Sequence, residues 1–402
     1  MPEDITATQS ALPLAGVRVA DFSRVVAGPY CTMLLGDLGA DVIKVEQPER
    51  GDDTRQWGPP YRAGESAYYL SLNRNKRSLT LDLKHADDFE LATQLIRRSD
   101  VMIHNFRSGG AEALGLGYPD VKTLNPRLVY AQISGYGARG PEAHKPGYDL
   151  LAQALTGLMS ITGPADGEPS KVGVAMVDVL AGLNAALGIL VALYERQQTG
   201  TGRLVETSLF EAGLSSLINV ASNYLVGGVM PKRYGNAHPN IVPYQQFWAA
   251  DAPLVIAVGN DGQFARLVRV LGRPEWASDE RFAHNADRVK HRDGLVGAIA
   301  AILVTRSREE WLEHLTTAAV PCAPVLNVAD VLSHDQTAAN TMIRRVPHPA
   351  LGEVPLVANG LKLDGAATPV YRHPPLLGEH DAALRAWLNA DEDAAHDLTD
   401  DT

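Results

Sequence analysis

Asp178 is the one carboxylate in the apolar run Lys171–Gly182 (KVGVAMVDVLAG). The plain use of an aspartate there is to cap the helix that follows. The same placement suits a nucleophile, since a helix N-terminus favours the ionised form while apolar neighbours keep it poorly hydrated. Asn73–Ser78 (NRNKRS) sets three cations in a polar turn ahead of a strand, which is either a solvated loop or an anchor for phosphates. Tyr148 and Asp149 open another helix, where Asp149 is placed to cap. Gly235–Tyr244 carries His238, but its Gly and Pro residues already explain it as a turn.

Other chemistries lack their residues. The turn Ser23–Pro29 (SRVVAGP) after the first strand has a single glycine and no G-x-G-x-x-G pattern. The sequence has no Walker A motif and no G-x-S-x-G elbow. Its 12 histidines form no H-x-x-x-H pair supported by a carboxylate, so no metal is expected. Cys31 and Cys322 are too far apart in sequence to suggest a disulfide framework or a cysteine metal site.

The elements that must position these residues alternate between two periods. Val17–Phe22, Asp41–Glu46, Ser78–Leu83, Val101–Phe106 and Arg127–Tyr136 read as strands, with helices at Pro29–Leu38 and His85–Arg98 between them. Strand, helix and strand within about thirty residues form a βαβ unit, so the spacing predicts a parallel, Rossmann-like α/β sheet. A long helix is predicted over Asp178–Gln198, with Leu183, Leu187, Leu190 and Leu193 facing inward, and Leu204–Phe210 follows as a strand. Gly227–Val242 lacks periodicity and reads as a loop. A second, smaller unit then begins with Leu254–Val258 and a helix at Gln263–Leu271, and adds helices at Asp293–Leu303 and Arg308–Ala318. Val320–Leu326 reads as a return linker, a final helix is expected to dock on the first domain, and Asp391–Asp401 is expected to be a frayed tail.

The 402 residues carry 36 Lys+Arg against 47 Asp+Glu, a net charge of -11, which argues against a nucleic-acid partner. With 45% hydrophobic and 21% charged residues the chain has the balance of a soluble globular protein. The longest apolar stretch, Ala185–Tyr194, is too short to span a bilayer and reads as a buried helix. Met1–Thr6 has neither a basic presequence nor an apolar signal core, so a cytoplasmic protein without membrane partners is expected.

Taken in order, Asp21–Pro29, Leu35–Glu46, Asn73–Ser78, His104–Phe106, Ser134–Gly137, Gly147–Asp149, the Asp178 segment and Pro375–His380 resemble the class III (CaiB/BaiF-type) CoA-transferases. The likeness runs from about Leu14 to His380. Gly51–Pro60, Gly157–Gly163 and His238–Tyr244 further resemble the members that exchange CoA between succinate and hydroxymethylglutarate. This implies a large Rossmann-like domain built from residues 1–223 and a returning segment 327–402. A smaller α+β domain is inserted at 224–326, and two chains interlock as a ring-in-ring homodimer. The His238–Tyr244 loop would then lie near an active site, with His238 a candidate substrate contact.

The resemblance makes Asp178 the catalytic nucleophile. Its carboxylate would attack a thioester to give an acyl-aspartyl anhydride, and CoA thiolate would convert that into an aspartyl-CoA thioester. CoA and acyl-CoA enter as substrates, with no permanently bound cofactor and no metal. Backbone N–H groups at a helix start are expected to steady the oxyanion. Arg24, Val25, Lys76, Asn105 and Phe106 match CoA-binding positions, with Lys76 or its neighbours Arg74 and Arg77 pairing with phosphates. Tyr148 and Asp149 match active-site positions. Val26 stands where some transferases of small acids carry Gln, which points to a larger dicarboxylate acceptor, such as glutarate or hydroxymethylglutarate, whose second carboxylate Arg55 would hold. Two alternatives stay open: an α-methylacyl-CoA racemase, in which Tyr148, a phenol of free pKa near 10, would replace the family's histidine base, and a catalytically silent CoA-binding protein.

Overall fold

Val19, Val42, Val101 and Val129 point to one face of a sheet, and their neighbours Ala20, Ile43, Met102 and Tyr130 to the other, all of them buried. Strands that are apolar on both faces need cover on both faces, which is the condition for a parallel sheet between two helical layers. The computed structural model, which describes residue 9 and residues 11–390, has this arrangement. The expectation for Asp391–Asp401 lies outside the described residues.

The first elements are strand β1 (Arg18–Asp21), helix α1 (Ala27–Asp37), β2 (Asp41–Glu46), β3 (Lys76–Thr80), helix α2 (Ala86–Arg97), β4 (Val101–His104) and β5 (Val129–Ser134). They are followed by α3 (Asp149–Leu155), α4 (Met176–Thr199), β6 (Leu204–Ser208) and α5 (Leu209–Ser215). The strands pair in the order β3-β2-β1-β4-β5-β6, all parallel, with Val19 opposite Val42 on one side and Val101 on the other. This is the doubly wound order, which reverses direction between β1 and β4. The expected Leu204–Phe210 strand stops at Ser208, whose hydroxyl caps α5 by accepting from Glu211 N–H.

One core lies between the sheet and helices α1 and α4; the other lies between the sheet, α2 and the C-terminal helix. The inward face of α4 differs from the expected leucine stripe. Ala181, Ala185, Ile189 and Leu193 are buried, whereas Leu183 is 43% and Leu187 64% exposed. Close packing explains this: a Cβ on Gly182 would stand 2.6 Å from the Ala27 carbonyl oxygen, so only small residues admit α1 at that distance. By length and composition α4 could cross a membrane, which corrects the shorter stretch read from the sequence, and its buried face belongs to the first core.

The described chain divides into two units. Among the described residues, one comprises those up to 158, 172–220 and 335–390; the other comprises 159–171 and 221–334. The second has its own core and a three-stranded antiparallel sheet of β7 (Tyr244–Trp248), β8 (Pro253–Ala257) and β9 (Cys322–Pro324). Helices α6 (Asp261–Val270), α7 (Arg292–Leu303) and α8 (Arg308–Thr317) complete it. Val320–Leu326 is therefore more than a linker, because Cys322 pairs with Ile256 and Pro324 with Leu254.

The final helix, α9 (Asp381–Asn389), docks on the first unit, with Leu384, Trp387 and Leu388 in its second core. Trp387 lies under the guanidinium groups of Arg18, at 4.4 Å, and Arg98, at 5.2 Å. Asp37, at the end of α1, secures the rest of the returning segment. It is itself buried and accepts from Arg74 at 2.9 and 2.6 Å, from Asn75 at 2.8 Å and from Asn359 at 2.6 Å. Removing one partner of a buried pair strands the other charge. Asp37→Ala should therefore lower unfolding free energy by about 3–5 kcal/mol in urea denaturation. A loss below about 1 kcal/mol would show that Arg74 finds another partner or water.

Candidate active site

In a doubly wound sheet the ligand crevice opens where strand order reverses, at the carboxyl ends of the two central strands. A pocket lies at that point. Arg24–Ala27 after β1 and Asn105–Ser108 after β4 form one side, while Ser134, Gly135, Lys145–Tyr148 and Asp178 form the other. The far wall needs glycine at both Gly135 and Gly147, since a Cβ on Gly147 would stand 2.3 Å from the Gly135 Cα.

The turn after β1 is pinned through its backbone. Asp21 accepts from Ser23 N–H at 2.9 Å, and the Lys44 ammonium donates to Ser23 O at 2.9 Å. Asn105 accepts from Arg24 N–H at 2.9 Å and donates to Arg24 O at 2.7 Å. The Asp52 carboxylate accepts from Val25 N–H at 3.2 Å. Val25 has φ of 72°, an unfavourable conformation for a β-branched residue that persists only where its surroundings enforce it. Asp52 is itself held by Lys44 at 2.8 Å; burial raises its carboxyl, but Lys44 and Thr54 reverse that and bring it down to about 2.

This network corrects two expectations. Lys76 is fully buried, donating to Asn73 Oδ1 and Pro29 O at 2.9 Å and reaching Asp21 at 3.4 Å. Burial pushes its ammonium down, and despite the opposing Asp21 it falls to about 8. Lys76 is thus a counter-ion inside the fold, with no exposed face to offer a phosphate. Arg74 goes to Asp37, and Arg77 makes a fork to Asp41 at 2.9 and 2.6 Å, so the whole basic run turns inward. Arg55 is likewise engaged: Glu46 accepts from it at 2.8 and 2.7 Å, Tyr69 OH lies at 2.6 Å and Pro375 O at 3.2 Å. It straps Glu46 to the C-terminal segment and offers no free face to an acceptor carboxylate.

The cations that do line the pocket are Arg24, Arg107 and Lys145. Arg24 meets Asp53 at 3.3 Å with both side chains half-exposed, and Lys145 pairs with Glu142 at the surface. Arg107 follows directly on Asn105-Phe106, and that adjacency is its only signal in the sequence. Phe106 is positioned by His104, which stacks on its ring at 5.0 Å and accepts from Phe106 N–H through Nδ1. Tyr130 OH donates to Leu116 O, so His104 donates from Nε2 to that hydroxyl, and burial pulls the imidazole down to about 4.

Asp178 is the third residue of α4 and not its cap. The capping position is Ala175, which has no side chain able to accept. Asp149 Oδ1 instead accepts from Val177 N–H at 2.8 Å and Asp178 N–H at 3.3 Å, while Met176 N–H goes to Val174 O. The amides at the start of α4 are therefore occupied, which corrects the expectation that they serve an oxyanion. Burial first, and then the Asp149 charge, raise the Asp178 carboxyl to about 7. Tyr68 stands close enough that burial and then Asp178 and Asp149 push its phenol up; nothing in its sequence surroundings signalled it. Tyr148 lines the pocket and is exposed. His238 belongs to the second unit, where its Nδ1 accepts from Asn240 N–H at 3.0 Å and Arg292 donates to its carbonyl. Among the described residues no group of three or more His, Cys, Asp or Glu is arranged to hold a metal.

The profile of CoA-transferase family III matches residues 14–381. The chain is 40% identical to a mouse (Mus musculus) protein named succinyl-CoA:glutarate CoA-transferase, over 97% of this chain and 89% of that one. It is 40% identical to the succinate–glutarate CoA-transferase of Agrobacterium fabrum, over 95% and 97%. A crystal structure of a CAIB/BAIF family protein from Brucella suis superposes with a TM-score of 0.83 at 42% identity, covering 94% of this chain and 100% of that one.

A carboxyl raised to about 7 opposes folding once the unfolded chain has released its proton near 3.8, so its penalty grows from pH 4 to 7 and then levels. Asp178→Asn should therefore gain stability over the parent across that window, reaching on the order of 2 kcal/mol after solvent screening. Thermal melts at pH 4, 5.5, 7 and 8 would show it. A pH-independent difference would mean that Asp178 titrates normally.

Proposed function

The chain belongs to CoA-transferase family III, and we propose that within it the protein moves CoA from succinyl-CoA to a dicarboxylate of the glutarate or hydroxymethylglutarate type. One observation carries this reading: Asp178 stands partly buried in the wall of a pocket at the sheet's reversal point, with a carboxyl poised near neutrality. An ionised Asp178 oxygen attacks the thioester carbonyl, the C–S bond breaks, and CoA leaves as thiolate from an acyl-aspartyl anhydride. The thiolate attacks the aspartyl carbonyl and expels succinate, leaving aspartyl-CoA. The acceptor carboxylate attacks that thioester, giving a second anhydride and thiolate, and thiolate attack on the acceptor carbonyl yields the new acyl-CoA and restores Asp178. Two poor nucleophiles thus exchange through steps of modest difficulty.

Arg24, Arg107 and Lys145 supply the phosphate contacts in place of Lys76. The surface pairs of Arg24 and Lys145 are worth little and yield readily to a phosphate. Helix α1 opens in the pocket wall at Val26 without a side-chain cap and is the helix start left for the oxyanion. The dicarboxylate preference rests on the small apolar Val26 at this wall and on the glutarate in the relatives' names. A second copy of the chain would cover the exposed apolar residues of α4, Leu183, Leu187, Val191 and Tyr194, and the helix Ile218–Gly227, which has no buried residue.

Mass spectrometry of acyl-CoA species tests the reaction, with succinyl-CoA incubated separately with glutarate, 3-hydroxy-3-methylglutarate, malate, mesaconate or oxalate. Glutaryl-CoA or hydroxymethylglutaryl-CoA should form. Asp178→Ala should abolish the product and Arg107→Ala should raise the KM for succinyl-CoA about tenfold. Product with oxalate alone would overturn the acceptor, and turnover by Asp178→Ala would overturn the nucleophile. Light scattering should give twice the 43.2 kDa chain mass; the single-chain value would remove the dimer.

A further inference from the structure

We propose that Asp149 is a positioning residue of the transfer reaction: it caps the nucleophile's helix from a neighbouring helix and fixes where Asp178 stands in the pocket. The inference rests on the transferase reading above, and its starting point is a helix without a cap of its own. Helix α4 runs for 24 residues behind Ala175, whose methyl group accepts nothing. A helix start leaves amides that must be satisfied, and without a cap the first turn frays. That first turn contains Asp178.

Asp149, the first residue of α3, takes over the role across 28 positions of sequence. Its Oδ1 accepts from Val177 N–H at 2.8 Å and Asp178 N–H at 3.3 Å. Its Oδ2 accepts from the Gln153 amide at 2.6 Å. Gln153 is itself fully buried, and its Oε1 accepts from Val172 N–H at 2.8 Å. One turn of α3 thus grips the chain at 172 and again at 177–178, on either side of Gly173. Both carboxylate oxygens are engaged, so Asp149 is not a substrate contact of the kind its place beside Tyr148 suggested.

The cap has a second effect that an asparagine in its place would lack. Asp149 sets a negative charge beside the nucleophile, and only an ionised Asp178 can attack. The other ionisable groups of the pocket wall are Tyr148, the carboxylate of Asp53 and the cations Arg24, Arg107 and Lys145, and Tyr68 stands near enough for burial and the two aspartates to push its phenol up. Burial comes first in raising the Asp178 carboxyl, and Asp149 is the charged neighbour that raises it further.

Two variants separate the roles. Asp149→Asn keeps an oxygen for the two amides but gives up the charge and the acceptor of the Gln153 amide, whereas Asp149→Ala gives up all three. Hydrogen–deuterium exchange on the unliganded protein reads the cap, in the peptide covering residues 174–182. Protection at Val177 and Asp178 should persist in Asp149→Asn and fall in Asp149→Ala. The pH profile of kcat/KM for succinyl-CoA reads the charge. Its acidic limb should move down by at least about half a pH unit in Asp149→Asn, as loss of a like charge at this range requires. Asp149→Ala should lose about tenfold or more in kcat with KM for succinyl-CoA changed less than about threefold, the signature of a misplaced nucleophile. Unchanged exchange protection in Asp149→Ala, or an acidic limb that stays in place in Asp149→Asn, would overturn the proposal. The exchange measurement needs no substrate, so a parent protein inactive with every acid would refute the transferase reading and leave the cap separately decided.

Discussion

Lys44 and Lys76 are buried with hardly any contact with water, and the arrangement of the active site depends on the carboxylates that neutralise them. Two ammonium groups so enclosed would be prohibitive alone. Asp21 stands by Lys76 and, through its charge, by Lys44, while Asp52 closes the second pair at 2.8 Å. Such pairs add little net stability, because desolvation offsets their attraction. Their contribution is geometric. The four groups can all be satisfied only if Ser23 O, Pro29 O and Val25 N–H occupy particular places, and those atoms shape the turn that forms one side of the pocket.

The same network shows why some of the molecule was legible from its residues and some was not. Strand and helix periods depend on neighbours in sequence, so β2 was read to the residue and β1, β3, β4 and α2 to within a few. Asp178 was legible because a lone carboxylate in an apolar run is a local pattern. The basic run Asn73–Ser78 was not, because its counter-ions Asp21, Asp37 and Asp41 lie 36 to 55 positions away and nothing local shows which way a cation will turn. Arg55 misled for the same reason, since the Glu46 that binds it precedes it on another element. Two of the four leucines expected inward on α4, Leu190 and Leu193, do meet the core, while Leu183 and Leu187 lie outside because closeness to α1 selects small residues near Gly182.

Asp178 and Asp149 illustrate a division of labour that one aspartate could not manage. A residue that caps its own helix spends its oxygens on backbone amides and is a poor nucleophile, because those hydrogen bonds stabilise the charge it must share with an acyl group. Moving the cap to a second carboxylate on α3 leaves Asp178 desolvated and close to half-ionised at neutral pH. The fold thereby exchanges some stability at its reactive carboxylate for reactivity.

The turn after β1 has five backbone polar atoms, from Ser23 N to Val25 N, each already bonded within the protein. A segment held at that many points has almost no conformational freedom left to lose when a ligand arrives, so contact with it carries little entropic penalty. It also cannot follow a ligand of another shape. Tolerance for different acids must then come from side chains that change volume without moving this frame, and Val26 is such a position.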